Sequence, residues 1–329
     1  MKILHTYILV VMAIVLCAGC GGAGMVESSP ATTIQDVAIP AFNADSAYAN
    51  VARQVGFGFR IPGTDSHKAA AQWLADEMTR YGAEVIRQQA DLTAYDGTQL
   101  PICNIIAQFS PEKNNRILLA AHWDSRPYAD YDPDEAYRNK PIDGANDGAS
   151  GVGVLLEIAR LIGKQAPALG VDIILFDAED YGAPEWVGGD TSSTWALGSQ
   201  YWATHKHKPG YRARYGILLD MVGASGVGFY REYFSERYAS HIVNKVWECA
   251  AQLGYDGLFI NEEGGAITDD HLYMNQAGIP TIDIIQHDPT SDTGFFPQWH
   301  THEDDMAHID ASMLDVVGQV LLAVIYGEK

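Results

Sequence analysis

Three acidic side chains at the end of one apolar run are the residues best suited to chemistry. In VDIILFDAEDY (171–181), β-prone positions give way abruptly to Asp177, Glu179 and Asp180. A buried strand ending this way delivers its carboxylates to the C-terminal edge of a sheet, where ligands of open α/β folds bind. Neighbouring carboxylates repel, and a cation beside them keeps them ionised. A polar loop whose acids cap the next helix is the alternative reading. Asp147 sits in GANDGASG (144–151), among small residues that let backbone approach a ligand closely. It serves there as a ligand or as an N-cap for the helix that follows. His300 lies in WHTHEDD (299–305). Asp147, Asp180 and His300 together form a carboxylate, carboxylate and imidazole set that suits catalytic Zn²⁺ with an open fourth position. Glu179 then stands beside the metal without ligating it, the place of a general base.

The elements that must position these residues alternate between strand and helix. Helices are expected over 43–56, 66–81, 149–163, 194–205, 235–253 and 310–327. Strands are expected over 84–87, 101–109, 116–122, 171–176, 215–221 and 281–285. In 66–81, Ala70, Trp73, Leu74 and Met78 fall on one helical face. The alternation predicts an α/β fold, a single domain with a central sheet flanked by helices on both faces. His122 and Asp124 end the 116–122 strand and Asp220 ends the 215–221 strand, so both strands point the same residue types at the same sheet edge. The polar connection 125–144 is long for a loop, which predicts a functional or mobile segment.

Composition narrows the function. Asp and Glu outnumber Lys and Arg by 42 to 21, a net charge of −21, which argues against nucleic acid or an anionic membrane surface as the main partner. Residues 1–20 have a charged start, an apolar stretch at 7–16 and Cys17-Ala-Gly-Cys20. That is the layout of a secretory signal peptide with a lipobox-like end. It predicts export to the periplasm and a lipid anchor on Cys20, the chain's only expected attachment to a membrane, with cleavage of a plain signal nearby as the alternative. Residues 21–40 form a flexible tether and 41–329 the catalytic domain. Cys103 and Cys249, too few for a disulfide framework, are expected as buried thiols, and the protein as a monomer.

Six motifs then fall in a familiar order: His122-x-Asp124-Ser125, Gly144-x-x-Asp147-x-x-x-Gly151, Phe176-Asp-x-Glu179-Asp180, Leu219-Asp220-Met-Val-Gly223, Asp269-Asp270-His271 and Trp299-His300-Thr301. Their order resembles the zinc-dependent aminopeptidase superfamily, which implies that the central sheet is twisted and mixed. Within it the chain is similar to the animal-type glutaminyl-peptide cyclotransferases and their bacterial relatives, from about Arg60 to the C-terminal helix. Trp299 before His300 and the Asp269-Asp270 doublet favour the cyclases. The resemblance implies cyclisation of N-terminal glutamine, and more slowly glutamate, of peptides to pyroglutamate with release of ammonia. It implies one Zn²⁺ on Asp147, Asp180 and His300, Glu179 as general acid and base, and Asp269 with Asp220 stabilising the departing nitrogen. Trp299, Trp186 and Phe296 (or its neighbour Phe295) are expected to wall the glutamine pocket. Two departures stand out: Asp180 where animal cyclases carry Glu, and Asp283 where they carry the His that partners the first Asp of the doublet. The rival reading is a di-zinc aminopeptidase, with His122 and Asp220 holding a second ion and Asp147 bridging.

Overall fold

The computed structural model describes residues 38–329. The expected signal peptide, the Cys20 anchor and the tether up to residue 37 lie outside the described residues. Eight strands and seven α-helices follow. The strands are β1 (Glu84–Thr93), β2 (Gln99–Phe109), β3 (Arg116–His122), β4 (Gly170–Phe176), β5 (Gly216–Asp220), β6 (Phe229–Arg231), β7 (Phe259–Glu263) and β8 (Thr281–Ile285). The helices are α1 (Ala44–Val55), α2 (Asp65–Arg80), α3 (Ala149–Lys164), α4 (Leu197–Thr204), α5 (Tyr233–Gln252), α6 (Asp270–Gln276) and α7 (Ala311–Gly327).

Six strands form the central sheet in the order β1-β2-β4-β3-β5-β8. β1, β2 and β4 pair antiparallel, whereas β4, β3, β5 and β8 run parallel. The sheet is therefore mixed, and four parallel strands present their C-terminal ends to one edge. Alternation within each strand feeds two cores. Ile117, Leu119 and Ala121 of β3 join Ile173 and Leu175 of β4 in the larger cluster, with α1, α3, α5 and α7. Leu118, Ala120, Ile174 and Phe176 face the other way, onto Trp202 of α4 and Met274 of α6. Deep in the sheet, Asp172 accepts from Nε and Nη2 of Arg116 at 2.6 Å each, a bidentate pairing that offsets the cost of burying both charges.

Four elements go beyond the sequence-based reading. β1 continues to Thr93, paired with β2 residue by residue down to Gln99, and its edge position explains the weak apolar pattern past Arg87. β6 and β7 make a separate two-stranded parallel sheet, and α6 is a seven-residue helix. All four are too short or too exposed to show a clear period. Among the described residues, no helix is long and apolar enough to cross a membrane. Cys103 and Cys249 are buried and unpaired with each other.

Candidate active site at the sheet's C-terminal edge

The turn after β4 is built for display. Ala178 adopts a left-handed backbone (φ 53°), as do Met221 after β5 (φ 45°) and His300 (φ 54°). Each such non-glycine residue costs on the order of 1–3 kcal/mol, a strain that clusters at functional sites. Asp124 clamps the turn: its two carboxylate oxygens accept the backbone N–H groups of Glu179 (3.1 Å) and Asp180 (3.2 Å). Asp304 does the same for the Asp147 segment, accepting from Asn146 (2.8 Å) and Asp147 (3.1 Å). These clamps were not read from the sequence, where Asp124 marked only a strand end and Asp304 one acid in an acidic run.

Asp147 is not the cap of α3. The cap position is Gly148, which makes no side-chain cap hydrogen bond, and a Cβ there would lie 2.2 Å from His122 Nε2. Glycine lets this backbone rest on the imidazole, and Asp147 turns into the site. One Asp147 oxygen lies 3.0 Å from His122 Nε2, and the other 3.5 Å from His300 Nε2. Asp180 Oδ1 is 3.4 Å from the same His300 nitrogen, and Asp220 Oδ1 is 3.2 Å from His122 Nε2. Two donor groups result, Asp147/Asp180/His300 and His122/Asp147/Asp220, each with ligand atoms within 4.8 Å of one another. Asp147 belongs to both.

Electrostatics tests whether this donor set fits a cation. Burial, and then the Asp147 carboxylate, raise the Asp180 pKa to about 6. Burial likewise raises Asp220 to about 7, against the opposing hydrogen bond from His122. Burial and Arg126 push His300 down, but Asp130, Asp147 and Asp180 outweigh them and bring it to about 10. Buried carboxylates this close to one another are costly unless a positive charge joins them. The buried Asp180 Oδ2 also has no hydrogen-bond partner among the described residues. Two carboxylates and an imidazole suit Zn²⁺. The residues present fit the metal.

Around these donors is a cavity of about 490 Å³, lined by Glu179, Asp220, Asp269, Trp195, Phe295 and Trp299 besides the donors Asp147, Asp180 and His300. Burial, then Asp269, hold the Glu179 carboxyl well above its ordinary range, against the attraction of His122. Trp299 stacks on His300 with ring centroids 3.7 Å apart and 21° between planes, and Trp195 lies parallel to His300 within 13° at 5.8 Å. Phe295 packs on Trp299 at 4.5 Å.

Two of the expected wall residues are placed elsewhere. Trp186 is 51% exposed, packs edge-on against Tyr128 and does not line the cavity. Trp195 occupies that wall, seated against Gly182, where a Cβ would meet its ring at 2.1 Å. The sequence around both tryptophans is irregular, with Gly188 and Gly189 at positive φ between them. Nothing periodic told which of the two turns inward. Phe296 is 1% exposed and packs beneath the site with Met221 and Ile285, while Phe295 reaches the cavity.

Asp283, in the middle of β8, is a fully buried acid. His271 Nδ1 is 3.5 Å away, and His271 Nε2 faces Glu232 at 3.0 Å. Burial, then Asp269 and Asp220, push the Asp283 pKa well up. Its folded pKa thus exceeds its unfolded one, so the folded chain holds a proton the unfolded chain has lost. Stability from this group falls as pH rises from the acid range toward its folded pKa. Asparagine supplies a donor that does not titrate. Asp283→Asn is expected to match or exceed the parent's melting temperature above neutral pH, with a shallower decline between acid and alkaline buffers. A steeper alkaline loss in the variant would contradict this assignment.

The family model described as Peptidase family M28 matches residues 104–325. A solved zinc-dependent exopeptidase from Parabacteroides distasonis is 56% identical, with a TM-score of 0.87 over 88% of this chain and all of that one. A glutaminyl cyclase from Bacteroides thetaiotaomicron, solved with N-acetylhistamine, is 54% identical at TM-score 0.87, covering 89% of this chain and all of that one. Aminopeptidase YwaD of Bacillus subtilis is 30% identical over 64% of this chain, and the match spans only 40% of YwaD's length.

Proposed function

This chain belongs to peptidase family M28 and to its glutaminyl-cyclase-like members, and from that premise we propose that it cyclises N-terminal glutamine of peptides to pyroglutamate. One observation carries the reading: an aromatic box of Trp195, Trp299 and Phe295 encloses the same cavity as the Asp147/Asp180/His300 donors and Glu179. Such a box suits a short side chain folded back on its own amine, so that much of the rate gain is positional.

Zn²⁺ on Asp147, Asp180 and His300 would supply Lewis-acid polarisation of the substrate's γ-carbonyl. The rest is the work of this chain's side chains. Glu179 takes a proton from the α-amine as its nitrogen bonds to Cδ, the carbonyl carbon of the glutamine side chain. The same carboxyl then delivers that proton to the amide nitrogen, and the C–N bond breaks to release ammonia. Asp269, with Asp220 behind it, accepts hydrogen bonds from the departing nitrogen. The ring closure needs no water nucleophile. N-terminal glutamate, lacking an amide leaving group, reacts more slowly.

Trp195→Ala is expected to raise KM for Gln-peptides about tenfold, the order expected for an aromatic contact, with a smaller change in kcat. Trp186→Ala is expected to leave KM near the parent value. The reverse pattern in steady-state kinetics would move the wall to Trp186.

One observation favours a second reading: His122/Asp147/Asp220 forms a second donor group sharing Asp147. A di-zinc aminopeptidase would use Glu179 to activate water and release the N-terminal residue. Mass analysis of a Gln-peptide after incubation separates the two. Cyclisation leaves the full-length peptide lighter by one ammonia, and a peptide shortened by one residue would overturn the cyclase reading. Substrates are peptides and proteins with N-terminal Gln, met in the periplasm by an exported monomer held through lipidated Cys20.

A further inference from the structure

The long connection 125–144 contains a buried arginine that the proposed reaction does not use. Arg126 is fully buried. Its Nε and Nη2 donate to the two oxygens of Asp130 at 2.7 Å each. Nη1 donates to the backbone oxygen of Asp180 at 3.0 Å and lies 3.5 Å from Asp180 Oδ1 and 3.4 Å from the Gly182 oxygen. The guanidinium carbon lies 4.5 Å over the Trp195 ring. Asp130 reaches onward: Oδ1 is 3.4 Å from His300 Nδ1, and Oδ2 accepts the Glu185 N–H at 3.0 Å. The next residue's N–H, that of Tyr131, donates to the His300 carbonyl at 3.2 Å.

We propose that Arg126 is a positioning residue that locks Asp180, His300 (through Asp130) and the Trp195 wall into one arrangement. The inference rests on the metal and pocket assignments of the proposed function. A buried ion pair is a poor device for stability alone, because well-packed apolar residues of similar volume serve as well or better. What an arginine adds is a planar fork of five donors with fixed angles and a flat face. Here the fork is spent on one metal-side carboxylate's backbone and on the acid behind the imidazole, and the face on the aromatic wall. Groups behind metal ligands fix their orientation, and losing one typically costs about 10- to 100-fold in metal affinity. The segment 125–144 is then a brace for the site rather than a lid over it.

Arg126→Lys tests this because it keeps the charge and removes the fork and the flat face. Zinc affinity of the metal-free protein, measured by chelator competition, is expected to weaken about tenfold or more. KM for a Gln-peptide is expected to rise severalfold. In a Trp195→Ala background the KM effect of Arg126→Lys should disappear while the zinc effect persists. A purely structural arginine would lower the melting temperature and leave zinc affinity and KM at parent values, and that result overturns the proposal. If Arg126→Lys does not fold, Asp130→Asn decides in its place: it is isosteric, and parent-like zinc affinity there also overturns the proposal. A parent that binds no zinc or releases no ammonia refutes the functional reading instead, whatever the variants do.

Discussion

Glutamine in place of Glu179 is expected to lower kcat for Gln-peptides by roughly 10³-fold, within the range for losing a general acid–base group, while zinc stays bound. The side chain is 8% exposed and opens onto the cavity beside Asp269. It is near the donors without belonging to either group of them. The substitution preserves size and removes both proton acceptance and proton delivery, so the two halves of the reaction fail together. The Asp124 clamp acts on the Glu179 backbone, so the turn is expected to keep its shape. A variant with near-parent kcat would assign the proton transfer to another group, Asp269 first. A variant that loses its zinc would mean Glu179 is a ligand.

The second large effect belongs to Asp147. It lies 3.0 Å from His122 Nε2 and 3.5 Å from His300 Nε2, and it is common to both donor groups. Asp147→Asn is expected to abolish stoichiometric zinc and to cut activity by at least about 10³-fold, since Lewis-acid assistance contributes several kcal/mol and each ~1.4 kcal/mol is tenfold. Burial pushes the Asp147 pKa up, but hydrogen bonds from His122 and His300 more than reverse this and hold it below the usual carboxylate range. The carboxylate therefore stays ionised well into acid, and its pairing with the imidazoles is lost only as pH falls below that depressed value. Metal content by elemental analysis and kcat by ammonia release check the prediction. Retention of one zinc with full activity would mean Asp180 and His300 suffice.

Much of this site was legible because strands end where chemistry begins. The runs at 116–122, 171–176 and 215–221 are mostly apolar and lead into His122, Asp177 and Asp220, and the structure ends β3 at His122, β4 at Phe176 and β5 at Asp220. Parallel pairing then brings His122, Asp180 and Asp220 to one edge. Pairing order followed from none of this, nor did the sheet's antiparallel half at β1 and β2. Long-range backbone clamps were invisible too: Asp304 serves Asn146 and Asp147 across more than 150 residues. The exchange of Trp186 for Trp195 and of Phe296 for Phe295 has a common cause. Both pairs sit in irregular loops, where no 2- or 3.6-residue period says which side chain faces inward. The length of segment 125–144 marks it only as functional or mobile, and the folded chain alone reveals Arg126 between Asp130, Asp180 and Trp195.

The rivalry between cyclase and aminopeptidase turns on how many of the two donor groups hold metal and on what leaves the substrate. Both readings need Glu179 and Asp147, so the variants above establish the machinery without choosing between them. The choice falls to a single measurement on the parent protein: zinc atoms per chain, determined on the same sample that is assayed with a Gln-peptide and a leucine anilide. The cyclase account predicts one zinc, ammonia from the Gln-peptide and no turnover of the anilide. Two zincs with cleavage of the anilide would contradict it, making His122 and Asp220 ligands and the aromatic box a specificity pocket of a peptidase.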